Sequence, residues 1–150
     1  VHLLINILYV YFISILCYNV QNRYTVYLIY AWGGWKMRVA VVGSRGLVID
    51  DLGEYLPEDV TEIISGGASG VDRCARLYAQ THGIKLTEFL PEYERFGRAA
   101  PLKRNITIIE NADLVLAFWD GSSHGTEFVI DSCRKMRVPV NVFVPDRRSD

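Results

Sequence analysis

The stretch with the clearest chemical potential is a glycine-rich turn from Gly66 to Asp72, which follows an apolar run and precedes a helical pattern. Because glycine has no Cβ, the main-chain N–H groups of such a turn can approach a ligand closely. The helix that starts there presents unpaired N–H groups and a partial positive charge, which together favour a phosphate. A purely structural alternative is a tight turn in which Ser69 caps the helix and Asp72 completes a capping box.

Two further loops of small residues favour the phosphate interpretation. One is Gly43-Ser44-Arg45-Gly46, and the other runs from Asp120 to Thr126. Neither these loops nor the turn at Gly66 has the GxGxxG or GxxxxGK[ST] pattern. The sequence therefore does not indicate an ordinary dinucleotide dehydrogenase or a P-loop NTPase.

Apolar periodicity predicts alternating strands and helices that would carry these loops. The predicted strands are Met37–Val42, Thr61–Ser65, Ile84–Leu90, Asp113–Trp119 and Val138–Val144. The predicted helices are Ile49–Leu56, Val71–His82, a segment with Ala99, Leu102, Ile106 and Ile109 at helical spacing, and about Thr126–Met136. The segment Glu92–Ala100 is predicted to be a charged loop.

This alternation predicts an α/β, Rossmann-like three-layer sandwich with a five-stranded parallel sheet of order 3-2-1-4-5. The three loops would leave the carboxyl ends of strands 1, 2 and 4, which are neighbours in that order. Ligands of such sheets bind outside the carboxyl ends, at the point where the strand order reverses. We therefore expect the loops to form one crevice for a phosphate-bearing ligand.

Residues 1–36 differ from the rest of the chain, because they carry two basic and no acidic side chains and residues 3–20 are almost wholly apolar. A membrane anchor is one interpretation, since a span takes about 20 residues; a cleavable signal is weaker, because no basic n-region is visible. We favour a third, in which residues 1–36 are translated upstream sequence and the natural protein starts at Met37. We then expect a domain at 37–145 and a disordered tail at 146–150.

Charge and cysteine usage narrow the class of protein. Residues 37–150 hold 14 basic and 17 acidic side chains, a net charge of −3. A nucleic-acid-binding protein normally has a basic surface, so we expect no nucleic-acid partner. Three widely spaced cysteines indicate reduced thiols in a cytoplasmic protein, with anchoring through residues 3–20 as the alternative location. We expect no metal site, because His82 and His124 lack a cluster of further ligands.

The motifs GSRG (43–46), SGGASGVD (65–72), RN (104–105) and ADLVLAFWDGSSHGT (112–126) together resemble the SLOG superfamily. This superfamily includes the Smf/DprA DNA-processing proteins and the LOG phosphoribohydrolases. The similarity is greatest to its small YspA-like, cpYpsA-related branch and extends from Met37 to about Val144. The resemblance implies a Rossmann-like domain that binds a nucleotide or a nucleotide-derived ligand, with no other cofactor required.

The positions that match the motifs are Gly43, Ser44, Arg45, Gly66, Gly67, Gly70, Asp72, Arg104, Asn105, Gly121, Ser122, Gly125 and Thr126. Arg45 could pair bidentately with a phosphate, or be a solvated loop arginine. Asp72 could accept a hydrogen bond from a ribose hydroxyl, or serve as a helix cap. Asn105 could bond a base or ribose edge, or be a helix-surface amide.

The resemblance leaves two classes of function open. The last motif of LOG enzymes reads PGGxGTxxE, and the position of its catalytic glutamate is occupied here by Val129. Loss of this carboxylate favours a binding or sensing module for ADP-ribose, NAD or a nucleoside phosphate. The alternative is a hydrolase that cleaves an N-glycosidic bond of a nucleoside monophosphate or related nucleotide, as LOG enzymes do, or a phosphate bond; Asp72 and Asp120 are weak catalytic candidates for it. The expected partner is a small nucleotide, with no membrane contact unless residues 1–36 are native; homo-oligomerisation stays open.

Overall fold

The structure, a computed structural model, describes residues 36–144. The strands are β1 (Met37–Gly43), β2 (Val60–Ser65), β3 (Lys85–Glu88), β4 (Leu114–Phe118) and β5 (Val140–Phe143). The helices are α1 (Val71–His82), α2 (Tyr93–Phe96), α3 (Ala100–Asn111) and α4 (His124–Met136), with single 3₁₀ turns at Leu52–Glu54 and Gly97–Ala99. The predictions for residues 1–35 and for the tail at 146–150 lie outside these residues.

The five strands form one parallel sheet in the order β3-β2-β1-β4-β5, which confirms the predicted topology. The order in which strands are added reverses at β1: β2 and β3 lie on one side of it, and β4 and β5 lie on the other. At the carboxyl end of the β1–β4 pair, Gly43 pairs with Phe118. The carboxyl ends of β1, β2 and β4 therefore lie side by side, because β1 pairs in parallel with both β2 and β4. The three loops of small residues start at this edge.

Alternate residues of β1 enter two separate cores, because successive side chains of a strand point to opposite faces. Ala40 and Val42 pack in a cluster with side chains of α3 and α4. Val39 and Val41 pack with the apolar face of α1 on the other side. The sheet is thus covered on both faces, and the three-layer sandwich is confirmed.

Two predicted elements differ from the structure. The predicted helix Ile49–Leu56 is only the 3₁₀ turn Leu52–Glu54, begun by Asp51, whose carboxylate accepts from the Gly53 N–H at 2.8 Å. Glycine inside the segment and Pro57 after it both disfavour a longer helix. The predicted loop Glu92–Ala100 instead contains α2 and the second 3₁₀ turn.

The predicted helix Val71–His82 is confirmed, and Gly83 ends it in the left-handed conformation with a φ of 64°. This is the usual way in which glycine terminates a helix. Within residues 36–144, none of the helices is long and apolar enough to span a membrane.

Candidate functional site

The three loops converge on a cleft of about 120 Å³ at the carboxyl edge of the sheet. Its polar lining comes from all three loops and from the first half of α3. The predicted site residues that line it are Gly43, Arg45, Asp72, Arg104, Asn105, Gly125 and Thr126. We refer to this space as the loop cleft.

A second cleft of about 290 Å³ adjoins the loop cleft and shares Arg45, Ala68, Pro101 and Arg104 with it. Gly66 and Gly67 line this second space, together with Leu90, Pro91 and Tyr93 from the segment after β3. We refer to it as the side cleft. Ligand pockets generally measure about 300–1,000 Å³, so a molecule the size of a nucleotide would need both spaces.

The second loop is shaped by Arg104, which lies 38 residues further along the chain. The Arg104 guanidinium donates to the carbonyl oxygen of Gly66 and, at 3.4 Å, to that of Phe89. A Cβ at position 66 would lie 2.5 Å from the Arg104 Cζ. A side chain at position 66 would therefore displace the guanidinium from these carbonyls, and Arg104 has a structural role besides lining the cleft.

Asp72, in the first turn of α1, also stabilises this loop by a hydrogen bond. Its carboxylate accepts from the Ala68 N–H at 3.1 Å and is only 5 % exposed. The prediction that Ser69 caps the helix is wrong, because the N-cap is Gly70, whose φ of 71° and ψ of −125° suit glycine. Asp72 thus closes the loop onto the helix without forming the predicted capping box.

Burial dominates the electrostatics of this pair. Burial raises the pKa of Asp72, although the Ala68 N–H and the nearby Arg104 charge act in the opposite direction. Burial also lowers the pKa of Arg104, against the attraction of Asp72. The Arg104 Nε is buried without a hydrogen-bond partner among the described atoms. Both charges are therefore held at a desolvation cost that their mutual attraction offsets only in part.

The first loop separates a buried residue from an exposed one. Ser44 is 1 % exposed; its N–H donates to the Phe118 carbonyl at 3.0 Å, and its Oγ accepts from the Asp120 N–H at 3.2 Å. Ser44 therefore joins the first loop to the third and does not line either cleft. Arg45 is exposed where the two clefts meet, and its guanidinium bonds to no described residue.

The third loop is organised by Asp120, whose carboxylate accepts from the N–H groups of Ser122 at 2.9 Å and Ser123 at 2.8 Å. These bonds lower the pKa of Asp120. The Trp119 Nε1 donates to the Ser123 carbonyl at 3.1 Å and holds the end of the loop. Asp120 is thus occupied with its own loop and, unlike Asp72, does not line the loop cleft.

The structure brings together most of the predicted residues, but Ser44, Gly70, Gly121 and Ser122 line neither cleft. Gly70 packs against the first loop, since a Cβ there would lie 2.5 Å from the Arg45 carbonyl oxygen. Sequence reasoning missed Ala68, Ser123, Leu90 and Tyr93, among others. Ala68 and Ser123 could have been predicted, because they lie inside the predicted loops. Nothing in the sequence pattern indicated that Leu90 and Tyr93 line a cleft.

The carboxylates near the cleft bear on catalysis. Val129 lines the loop cleft and is 2 % exposed, whereas Glu127 is exposed and lies 3.4 Å from His124 Nδ1. Asp72 is the carboxylate that lines this cleft among the described residues. Residues 36–144 contain no group of three or more His, Cys, Asp and Glu side chains that could hold a metal ion.

The structure is a Rossmann-like α/β domain with a crevice at the strand switch point. Residues 37–96 match the model of the YspA, cpYpsA-related SLOG family, which confirms the resemblance predicted from the motifs. This match includes the first two loops and supports a nucleotide-related role for the domain. No curated protein sequence matches the chain.

An X-ray structure of DNA processing protein A (DprA) from Streptococcus pneumoniae has a similar fold, with a TM-score of 0.58 and 20 % sequence identity. The similarity covers 77 % of this chain and 52 % of DprA, so the chain spans about half of that protein. Our prediction of no nucleic-acid partner is corrected by this finding, because the fold also occurs in a DNA-processing protein. A net charge averages over the whole surface and leaves the local potential of a cleft undetermined.

Proposed function

We propose that the protein binds a nucleotide or nucleotide-derived ligand of the ADP-ribose, NAD or nucleoside phosphate type, with a phosphate in the loop cleft. The observation that carries this proposal is the meeting of Arg45 with the start of α4 in one cleft. Arg45 is a cation without a partner in the described part of the chain, and a guanidinium pairs well with phosphate oxygens.

The start of α4 supplies further anion-binding groups. Its N-cap, Ser123, makes no side-chain capping bond, and the first backbone bond into the helix runs from the Glu127 N–H to the Ser123 carbonyl at 3.0 Å. The N–H groups in the first turn of α4, including those of Gly125 and Thr126, therefore have no partner within the helix and can bind a ligand. Both residues line the loop cleft.

Asn105 favours a ligand that carries hydroxyl or base groups beside its phosphate. Its side chain lines the loop cleft, is 8 % exposed and bonds to no other described residue. The amide group reaches solvent in the cleft, so its N–H groups and its oxygen are accessible to a ligand. A ribose hydroxyl or a base edge would provide the partner, whereas an inorganic anion alone would use only part of the amide.

The test is calorimetric binding of AMP, ADP-ribose and NAD to the full chain and to Arg45→Ala. We expect saturable binding of at least one of these ligands, weakened about tenfold or more in the variant, because a charge-assisted hydrogen bond contributes about 1.5–3 kcal/mol. Arg73→Ala is the matched control, since Arg73 is equally exposed and lines neither cleft. Equal affinities of Arg45→Ala and the original chain would overturn the proposed phosphate site.

A second candidate function is hydrolysis of the bound nucleotide. It is favoured by Asp72, a carboxyl in the loop cleft whose pKa is raised by burial and which can therefore hold or exchange a proton. Chromatography of a nucleotide panel after incubation separates the two candidates. Release of free base or ribose phosphate, lost in Asp72→Asn, would favour the hydrolase, and intact nucleotide would favour the binding module.

A further inference from the structure

We propose that the side cleft is a subsite for a nucleobase, which stacks on the ring of Tyr93. The proposal rests on the proposed phosphate site in the loop cleft and extends it to the rest of the ligand. Leu90 and Tyr93, which line the side cleft, are 65 % and 57 % exposed. Large apolar side chains that border a cleft in this way are an unused contact surface for a flat, apolar group.

The Tyr93 ring is available for stacking. It contacts no other aromatic ring in the described part of the chain, whereas Tyr55, Tyr78, Phe118 and Phe143 all do. Its backbone is fixed by a bond from the Tyr93 N–H to the Pro91 carbonyl at 3.1 Å, at the start of α2. With the backbone fixed, only the two side-chain torsions of Tyr93 remain to be ordered when a base packs against the ring.

The polar groups of the side cleft can meet the edge of a base. The Arg104 Nη1 donates to the carbonyls of Gly66 and Phe89, and the Gly67 carbonyl accepts from Arg76 at 3.5 Å. The Ser69 hydroxyl lines the cleft and bonds to no described group, so it can donate to or accept from a base edge. Arg45, at the boundary, stays with the phosphate.

The two clefts adjoin through shared walls, so one molecule can place a phosphate in the first and a base in the second. The shared chemistry is a base linked through a sugar to a phosphate. It has two sources, a free nucleotide and a single-stranded nucleic acid, and both would stack on Tyr93 in the same manner.

The test compares Tyr93→Leu and Tyr93→Phe, both at an exposed position, in their binding of AMP and of ribose 5-phosphate. Loss of base stacking weakens binding by about tenfold or more. We expect Tyr93→Leu to lose this much affinity for AMP and none for ribose 5-phosphate, while Tyr93→Phe binds AMP as the original chain does. Unchanged AMP affinity in Tyr93→Leu, or equal losses for the two ligands, would overturn the subsite.

The same measurements separate this inference from the proposed function. If the original chain binds ribose 5-phosphate as tightly as AMP and Arg45→Ala weakens both, the phosphate site stands and the base subsite is refuted. If the original chain binds neither AMP nor ribose 5-phosphate, the base subsite is refuted, and the phosphate site is refuted as well if ADP-ribose and NAD also fail to bind. An oligonucleotide of about eight nucleotides, without a terminal phosphate, distinguishes the sources: tighter binding than AMP with the same Tyr93 dependence identifies nucleic acid, and weaker binding identifies the free nucleotide.

Discussion

The second and third loops contain similar small residues but are held in different ways. The second loop, from Gly66 to Asp72, is fixed by distant and buried groups, since Arg104 comes from α3 and Asp72 is 5 % exposed. The third loop, from Asp120 to Thr126, is fixed mainly by the half-buried Asp120, whose carboxylate bonds to N–H groups two and three residues further on. One loop depends on the core of the domain and the other on its own sequence.

This difference assigns different tasks to glycine-rich loops that look alike in sequence. In the second loop, Gly66 makes room for a guanidinium and Gly70 for the backbone of the first loop. In the third loop, nothing lies within 4 Å of a Cβ added at Gly125, which is the second residue of α4 and lines the loop cleft. Under the proposed function, the second loop therefore serves mainly as a wall, and the third loop and Arg45 supply the anion-binding groups.

The largest effect should follow from Gly70→Ala, which breaks the packing of the second loop against the first. The new Cβ would lie 2.5 Å from the Arg45 carbonyl oxygen and 2.7 Å from that of Ser44, at a φ of 71°. Overpacking against backbone and a strained conformation together should lower the free energy of unfolding by about 4 kcal/mol. Urea denaturation measures this loss.

Gly83→Ala is the matched control for Gly70→Ala, because its φ of 64° is similar and nothing lies within 4 Å of the added Cβ. It should cost about 1 kcal/mol, the price of the left-handed conformation alone. Equal losses for the two variants would show that the second loop is not packed as described.

A smaller effect is expected for Ser44→Ala, which removes the bond between the first and third loops. The Asp120 N–H would lose its acceptor at 3.2 Å, at a cost of about 1 kcal/mol. Ser122→Ala, whose exposed hydroxyl bonds to Asp120 at 3.2 Å, should change stability by less than about 0.5 kcal/mol. Thermal unfolding of both variants checks the order; a larger loss in Ser122→Ala would contradict it.

The smallest signal is a pH slope, which should have opposite signs in the two loops. The pKa of Asp72 is raised by burial above its ordinary value of 3.8, so its contribution to stability is greatest below that value and is lost as the pH rises through the raised pKa. The pKa of Asp120 is lowered by the Ser122 and Ser123 N–H groups, so its contribution is present above 3.8 and is lost as the pH falls through the lowered pKa.

Unfolding from pH 2 upward, compared with Asp72→Asn and Asp120→Asn, resolves these slopes. Relative to Asp72→Asn, the original chain should become less stable as the pH rises from about 4. Relative to Asp120→Asn, it should become less stable as the pH falls below about 4. Slopes of the same sign would remove the electrostatic distinction between the loops.

The parts of the fold that depend on local pattern were predictable from the sequence. Apolar runs and helical periodicity gave the order of the strands and the helix Val71–His82, and chain topology then placed the three loops at one edge. The prediction of a helix at Ile49–Leu56 was wrong. It relied on apolar spacing, whereas Gly53 and Pro57 disfavour a helix there, and only a 3₁₀ turn forms.

The contacts that shape the site were not predictable in this way. No periodicity relates Arg104 to Gly66 or Tyr93 to the side cleft, because these contacts depend on how separate elements pack. The match to the RN motif placed Arg104 in the site but suggested a ligand contact, whereas its guanidinium bonds to backbone carbonyls. Distant packing decided the role of this residue.

The contact between Arg104 and Gly66 also has a consequence for the order of folding. Strand β2 and helix α1 can pack together locally. The hydrogen bond from Arg104 to the Gly66 carbonyl in the loop between them can form only after α3 has packed on the sheet. Contacts of such sequence separation are costly to form early, because a long chain segment must first close. The site should therefore be completed late in folding, and a chain still being synthesised should be unable to bind ligand before residue 104 has joined the core.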